Sequence, residues 1–269
     1  MIARALIACV AIGVFAPMIG TFLVQKRLSL MGDGVGHVAF AGVGAGLLAG
    51  IWPVWTALAF AVVGAVGVEL LRSKRKASGD LALALFFYTG IALGAVFASR
   101  IGNGKVDLEI LPYLFGDPFA VTWTGVLTVV SLGAAVAAGV LAMQRVLFAV
   151  VTDEDWARVA GLPVDPVNVV LAAVTAAVVV AGMKIVGILL IAALMVLPVA
   201  SAQLMARSFR GTLWTAVAIG AASAAAGLVA GRAFNIAPGG AIVLVAAAVF
   251  AVTATGKRAA PRDLATGPH

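Results

Sequence analysis

The sequence predicts an all-α membrane protein with eight or nine transmembrane helices. Of its 269 residues, 63% are hydrophobic and 11% are charged, and the mean hydropathy is +1.15. A soluble domain carries roughly a quarter charged residues. Long uncharged stretches also separate the charged residues, and a membrane span needs about 17–25 residues of helix. These two observations place the chain in a membrane.

Nine uncharged stretches are candidate spans, and they cover 5–24, 34–51, 53–68, 81–99, 118–144, 166–183, 185–206, 211–231 and 233–256. The second and third are short and are separated by Trp52-Pro53, a turn signal. The count is therefore nine, or eight if one short segment is re-entrant. Because no long polar stretch occurs, we expect one membrane domain over residues 1–256, followed by a cytoplasmic polar tail over 257–269.

The basic residues predict an orientation. The net charge of +7 could indicate nucleic-acid binding in a soluble protein, but here Lys and Arg flank apolar stretches and report topology. With nine spans and an external N-terminus, thirteen of the 18 basic residues face the cytoplasm. The C-terminus is then cytoplasmic, residues 100–117 are external, and residues 145–165 are cytoplasmic.

The chain lacks the sequence features of an enzyme. There is no Walker A motif, because Gly104-Lys105 is followed by Val106 and no glycine precedes it at the required spacing. ATP hydrolysis would therefore need a separate chain. The single cysteine, Cys9, cannot form a disulfide framework and is best interpreted as a small buried hydrophobe.

Residues 145–165 contain a short predicted helix on the cytoplasmic side. Asp153 is typical of a helix N-cap, and Glu154 and Asp155 follow in the first turn. Gly161, expected in a left-handed conformation, and Pro163 indicate the end, so the helix should cover about 154–160. Two interpretations remain open, an interfacial connector or a segment that contacts a partner.

Asp33 and His37 are the most unusual pair in the sequence. They stand four residues apart in an apolar, glycine-rich stretch, so they share one face of a helix. A carboxylate and an imidazole suit Zn²⁺, Mn²⁺ or Fe²⁺. Two ligands make a poor site, but two copies of the chain at a two-fold axis would supply four. The alternatives are a proton relay, or a helix-capping Asp33 with a hydrogen-bonded His37 near the interface.

Glu69 and Lys184 lie at span ends and are expected to face headgroups.

Several glycine pairs are spaced by four residues, mainly within 32–50. Small residues at this spacing let helices approach closely in lipid. For most of these glycines, we expect a packing role.

Five segments in order resemble the membrane permease of bacterial ABC importers for zinc, manganese or iron(II). They are LSLMGDGVGHVAFAG (28–42), LPYLFGDPFAV (111–121), DEDWARVAGLPV (153–164), IVGILLIAALMVLPVASAQLMA (185–206) and FNIAPGGAIVL (234–244). The chain departs from the family pattern at Gly36, Phe40-Ala41 and Val199-Ala200-Ser201. Because Asp33 and His37 are retained, these departures concern pore shape and metal preference.

The resemblance implies a type II ABC importer permease in the bacterial inner membrane. It implies a homodimer, a cytoplasmic ATPase subunit and an external metal-binding solute-binding protein. It also implies that Asp33 and His37 contact the transported ion, with no permanently bound cofactor. Residues 153–161 become the coupling helix that docks on the ATPase, with Asp153, Ala157 and Gly161 as its characteristic positions. The small Ala157 suits docking into a partner's groove.

The resulting functional hypothesis is ATP-driven import of a divalent transition metal ion, Zn²⁺ or Mn²⁺ and possibly Fe²⁺. Two alternatives stay open. A proton-coupled secondary metal transporter would use Asp33 and His37 as a relay and would need no ATPase. An importer of a metal chelate or cobalamin would have a wider, apolar pore without this pair.

Overall fold

The computed structural model describes residues 1–74, 78–101 and 110–259, and within them the chain is helical without any β-strand. Part of the predicted external stretch, 102–109, and most of the predicted tail, 260–269, lie outside the described residues. The nine long helices in the described ranges are α1 (Ile2–Gln25), α2 (Met31–Ala49), α3 (Pro53–Ser73), α4 (Gly79–Arg100), α6 (Trp123–Thr152), α8 (Val164–Met183), α9 (Ile188–Met205), α10 (Phe209–Ala233) and α11 (Pro238–Ala259). Two short helices, α5 (Leu111–Phe115) and α7 (Glu154–Val159), lie in connections. The predicted all-α class is confirmed.

Each of the nine predicted apolar stretches corresponds to one long helix, but the expected number of spans is too high. In the described part of the chain, seven helices are long and apolar enough to cross a membrane, namely α1, α3, α4, α6, α8, α10 and residues 238–256 of α11. Helix α2 is long enough to cross a membrane but is not apolar enough, because six glycines, Asp33 and His37 lower its mean hydropathy. The apolar part of α9, Leu190–Met205, is too short.

The long helices run between two ends of the bundle. At one end, Arg72 of α3 and Lys26, just after α1, both contact Glu154 of α7. At the other end, the ammonium of Lys184 lies 5.8 Å from the ring centroid of Trp52 and 5.1 Å from that of Tyr113. We call these the Glu154 end and the Lys184 end. Successive long helices alternate in direction between them, and α2 and α9 follow the same alternation.

Helix α2 lies in the middle of the packing, against α3, α4, α8 and α9. Its glycines make the close approaches possible. A Cβ on Gly42 would lie 2.7 Å from Cα of Ala57 on α3. A Cβ on Gly36 would lie 2.9 Å from Cγ2 of Ile188 on α9. The predicted packing role of the four-residue glycine spacing therefore holds for α2.

Candidate functional site

Asp33 lies in the first turn of α2, where a carboxylate is favoured by the helix dipole. It is not the capping residue, because the N-cap position is Leu30 and no side chain caps this helix end. Within the described residues, the carboxylate of Asp33 has no hydrogen bond and no ion pair. The helix-cap interpretation of Asp33 is therefore wrong, and its half-buried carboxylate is available for another partner.

His37 lies one turn further along the same face and is also half-buried. Its ring packs on Phe87 of α4, with centroids 4.6 Å apart and planes at 76°. The backbone is held from the same side, since a Cβ on Gly90 would lie 2.7 Å from the carbonyl carbon of His37. Helix α4 thus positions the imidazole by a ring contact, and within the described residues no hydrogen bond to this ring occurs.

The pair lies near the Glu154 end and not at mid-depth. At a rise of 1.5 Å per residue, Asp33 is about 3 Å and His37 about 9 Å beyond the first residue of α2. In the ranges that the structure covers, no three His, Cys, Asp or Glu side chains are grouped to hold a metal ion. One chain therefore brings two ligands to the site, and further ligands must come from another source.

The predicted start of the short helix α7 is confirmed. Asp153 is the N-cap of α7, and its Oδ1 accepts a hydrogen bond of 2.9 Å from the backbone N–H of Trp156. Glu154 and Asp155 form the acidic first turn. This end of α7 is therefore stabilised by its own sequence.

The end of α7 is also as predicted, except that the helix ends at Val159. Gly161 has φ +77°, the left-handed conformation that favours glycine. Its N–H donates to the carbonyl of Arg158, and the N–H of Leu162 donates to that of Ala157, both at 3.0 Å. This is the Schellman arrangement, and it turns the chain sharply towards α8.

Ala157 does not have the role that the sequence suggested. Its side chain is completely buried in this chain, so the expectation that it offers itself to a partner's groove is wrong. Trp156 and Val159 are exposed instead, at 60% and 90% of their surface. A small residue suits position 157 because this face of α7 is packed inside the bundle, where α7 contacts α6 and α8.

A network of charged side chains attaches α7 to the bundle, and the sequence analysis missed it. Both carboxylate oxygens of Glu154 accept hydrogen bonds from Arg72, at 2.6 and 3.3 Å. The ammonium of Lys26 lies 3.0 Å from Glu154 Oε1, and the amide of Asn168 donates to the same oxygen at 3.2 Å. Helix α7 is thus linked to α1, α3 and α8.

Glu69 completes this network and does not face headgroups. Its carboxylate accepts two hydrogen bonds from Arg72, at 2.7 and 3.0 Å. The side chains of Lys26 and Glu69 are only 4% and 3% exposed. Lys184, also expected at headgroups, is exposed and lies over two aromatic rings. The missed signal was that Lys26, Glu69, Arg72 and Glu154 all lie on one predicted side of the membrane.

The electrostatics of the network follow from burial and pairing. Burial lowers the pKa of the Lys26 ammonium below its usual value, although the charges of Glu69 and Glu154 oppose this shift. Burial alone would raise the pKa of Glu154, but the hydrogen bonds from Arg72 and the charge of Lys26 outweigh it. The pKa of Glu154 is therefore below its usual value, and Glu154 is ionised at neutral pH.

The fold and this arrangement can now be set beside known proteins. Residues 1–257 match the model of a protein family described as the ABC 3 transport family. The chain belongs to the ABC 3 transport family. The match includes all five resembling segments and nearly the whole described bundle, so the predicted membership in this class of permeases is confirmed.

Curated relatives of the family cover nearly the whole chain. A protein of Treponema pallidum, named as a probable metal transport system membrane protein, is 32% identical over 92% of each chain. A manganese transport system membrane protein of Halalkalibacterium halodurans is 29% identical over 93% of this chain and 85% of its own. A manganese import system permease of Streptococcus gordonii is 29% identical over 93% of this chain and 89% of its own.

Solved structures of ABC transporters share this architecture. A chain of PsaBC from Streptococcus pneumoniae, solved in complex with Fab, superposes with a TM-score of 0.82 at 29% identity. The match covers 93% of this chain and 90% of that one. An inward-facing ABC transporter of the metal-chelate type superposes with a TM-score of 0.75 at 15% identity, over 94% and 85% of the two chains, and shares the fold. The predicted permease fold is therefore confirmed for this ABC 3 family member.

Proposed function

We propose that this protein is the membrane permease subunit of an ATP-driven importer of divalent transition metal ions. Two findings together support it. The family match extends over residues 1–257. In addition, Asp33 and His37 share one face of the central helix α2, half-buried. A carboxylate and an imidazole inside a membrane protein are costly and mark ion pathways.

Manganese is the proposed cargo among the candidate metals. Several relatives are named for manganese transport or import. A mixed carboxylate and imidazole set without thiolate fits Mn²⁺, which prefers oxygen ligands and also accepts nitrogen. The soft thiolate that would favour Zn²⁺ is lacking, because the sole cysteine, Cys9, is buried in the core. We propose Zn²⁺ and Fe²⁺ as weaker competitors.

We propose that two copies of the chain form the transport path. One copy supplies Asp33 and His37, so a two-fold axis beside α2 gives two carboxylates and two imidazoles. Such a site binds an ion in passing and needs no resident cofactor. Conduction requires binding that is weak enough to allow release, and a sparse ligand set suits that requirement.

The remaining partners follow from the same proposal. Hydrolysis of ATP is assigned to a separate cytoplasmic subunit that docks on α7. Delivery of the ion is assigned to a solute-binding protein on the external side. We place the Glu154 end in the cytoplasm and the Lys184 end outside, which gives an external N-terminus and a cytoplasmic C-terminus. The greater number of Lys and Arg at the Glu154 end supports this orientation.

The test is metal uptake by the purified complex in liposomes. The chain, its ATPase and its solute-binding protein are reconstituted, and uptake of ⁵⁴Mn and ⁶⁵Zn is measured with ATP, without ATP and with an uncoupler. We expect uptake that requires ATP and ignores the uncoupler, with Mn²⁺ preferred. Uptake that needs a proton gradient and no ATP would instead support the proton-coupled alternative. Transport of cobalamin without transport of either ion would contradict the metal-ion proposal.

A further inference from the structure

We propose that Glu154 is a positioning residue that makes α7 move together with the start of α2. Through it, a movement of the ATPase-docking helix reaches Asp33 and His37. This inference rests on the proposed function, and it adds the mechanical link between the two sites. Two routes of contact, both starting at Glu154, lead from α7 to the metal pair.

The first route runs through Lys26 and the short connection between α1 and α2. The Lys26 ammonium lies 3.0 Å from Glu154 Oε1. Only residues 26–30 separate the two helices, and Asp33 follows shortly after them. The connection is held by backbone hydrogen bonds, among them Leu28 N–H to the Leu23 carbonyl at 2.8 Å and Met31 N–H to the Leu28 carbonyl at 3.0 Å. A displacement of Lys26 therefore displaces the first turn of α2.

The second route runs through Arg72 and α3. The Arg72 guanidinium lies between Glu154 and Glu69, and it donates two hydrogen bonds to each. Helix α3 in turn packs closely on α2, since a Cβ on Gly64 would lie 2.9 Å from Cγ1 of Val38. Val38 is the neighbour of His37. A shift of α3 at Arg72 is thus passed to the backbone that carries the imidazole.

Because the network is buried, its contacts stay intact when α7 moves, and they pass the movement to α2 and α3. Lys26 and Glu69 are almost fully buried, so separating either from its partners would leave an uncompensated charge out of water. The network holds two acidic and two basic groups and is balanced in charge. A further ion pair of α7, between Arg158 and Asp165, is exposed and can break at little cost. Glu154 is therefore the firm attachment of α7 to the bundle.

The experiment compares Glu154→Gln with Asp80→Asn in the reconstituted complex. Both substitutions remove one negative charge from the first turn of a helix at the Glu154 end, but Asp80 is exposed, lies outside α7 and has no hydrogen bond or ion pair within the described residues. The measured quantity is the number of ⁵⁴Mn ions imported for each ATP hydrolysed. We expect Glu154→Gln to lower this ratio about tenfold, the factor that corresponds to the loss of a charged hydrogen bond. Asp80→Asn should leave the ratio at the wild-type value.

A conservative variant supplies the rescue. In Glu154→Asp the carboxylate that accepts from Arg72 and faces Lys26 is kept, and the net charge is unchanged. We expect Glu154→Asp to keep at least half of the wild-type ratio, whereas Arg72→Gln, which removes the guanidinium, should be as uncoupled as Glu154→Gln. If Glu154→Gln does not assemble, the comparison of Glu154→Asp with Arg72→Gln decides the question.

A purely structural role of Glu154 predicts a different result. It would reduce the amount of assembled complex and lower transport and ATP hydrolysis in proportion, so the ratio would stay constant. A constant ratio in Glu154→Gln overturns this inference and leaves the proposed function standing. Failure of the proposed function is recognised separately, because the wild-type complex would then import no ⁵⁴Mn in the presence of ATP.

Discussion

The imidazole of His37 meets the ring of Phe87 edge to face, with centroids 4.6 Å apart. Phe87 is held in turn by Tyr88, whose ring centroid lies 5.3 Å away. Gly90 lies against the backbone of His37 on the same side. Helix α4 has no residue in the predicted metal site, yet it determines where the imidazole lies.

The first prediction concerns Phe87→Leu. The substitution keeps an apolar side chain but removes the edge-to-face contact, which is worth about 0.5–1.5 kcal/mol. The imidazole then samples other rotamers, and the KM for Mn²⁺ uptake should rise roughly 3–10-fold, with little change in the maximal rate. The control is Leu85→Ala on the exposed side of α4. An unchanged KM in Phe87→Leu would show that the ring only fills space.

The second prediction concerns the ligand pair. Asp33→Ala or His37→Ala should abolish uptake of the transported ion, because each removes half of one chain's ligands. Assembly with the ATPase should persist, since neither side chain forms a hydrogen bond or ion pair within the described residues. Asp80→Ala is the matched control, because Asp80 is another first-turn carboxylate at the Glu154 end. Normal ⁵⁴Mn and ⁶⁵Zn uptake by both variants at equal expression would remove Asp33 and His37 from the site.

The sequence was sufficient to locate the helices because their signals are local. Uncharged stretches indicate each long helix, and Asp153 and Gly161 indicate both ends of α7. The number of spans was overestimated because the apolar part of α9 is too short, and because α2 combines span length with glycines and two polar residues. Such a helix is placed by its neighbours and not by its own hydropathy.

The side-chain partners were not predictable by the same means. The pairing of Glu154 with Arg72 joins residues 82 positions apart, so it depends on the tertiary fold that brings α7 and α3 together. The burial of Ala157 depends on tertiary packing as well, where α7 contacts α6 and α8. The contact between His37 and Phe87 depends on how closely α4 approaches α2, which Gly90 permits. Sequence spacing indicates which residues share one face of a helix. Which residues of other helices that face contacts depends on the tertiary packing.

The third prediction concerns Gly161, for which the chain offers a clean comparison. A Cβ on Gly161 or on Gly139 would have no neighbouring atom within 4 Å, so an added methyl group fits at both positions. Gly161 has φ +77°, while Gly139 lies inside α6. Gly161→Ala should therefore destabilise the end of α7 by about 1 kcal/mol. Gly139→Ala should be neutral or stabilising by up to about 1 kcal/mol, because alanine favours helix.

Hydrogen exchange of the purified protein measures this difference. Amides of residues 157–162 should exchange roughly fivefold faster in Gly161→Ala, as expected for a loss of about 1 kcal/mol. The same amides should keep their wild-type rates in Gly139→Ala. Equal rates in both variants would mean that the left-handed turn at Gly161 costs alanine nothing.

The fourth prediction separates the two faces of α7. Trp156 is exposed and Ala157 is buried, so of these two residues Trp156 is the one that a partner can contact. Trp156→Ala should leave the folded protein intact and weaken its association with the ATPase by about tenfold or more, since exposed tryptophans are frequent binding hot spots. Ala157→Asp should destabilise the protein itself, because it introduces an unpaired charge in a packed site. Thermal unfolding and co-purification with the ATPase measure the two effects. Unweakened association of Trp156→Ala would place the docking surface elsewhere.

The last prediction concerns orientation. With the Glu154 end in the cytoplasm, cysteines introduced at Ser78 and Thr152, both exposed at that end, should be protected from a membrane-impermeant thiol reagent in intact cells. A cysteine at Asn235, exposed at the Lys184 end, should react. The native Cys9 is buried and gives no background, and labelling after the cells are opened shows that Ser78→Cys and Thr152→Cys are reactive. Labelling of position 152 from outside, with position 235 protected, would invert the topology. It would also place α7 outside the cell, where a cytoplasmic ATPase cannot dock on it. The proposed transmission of movement through Glu154 would then be wrong.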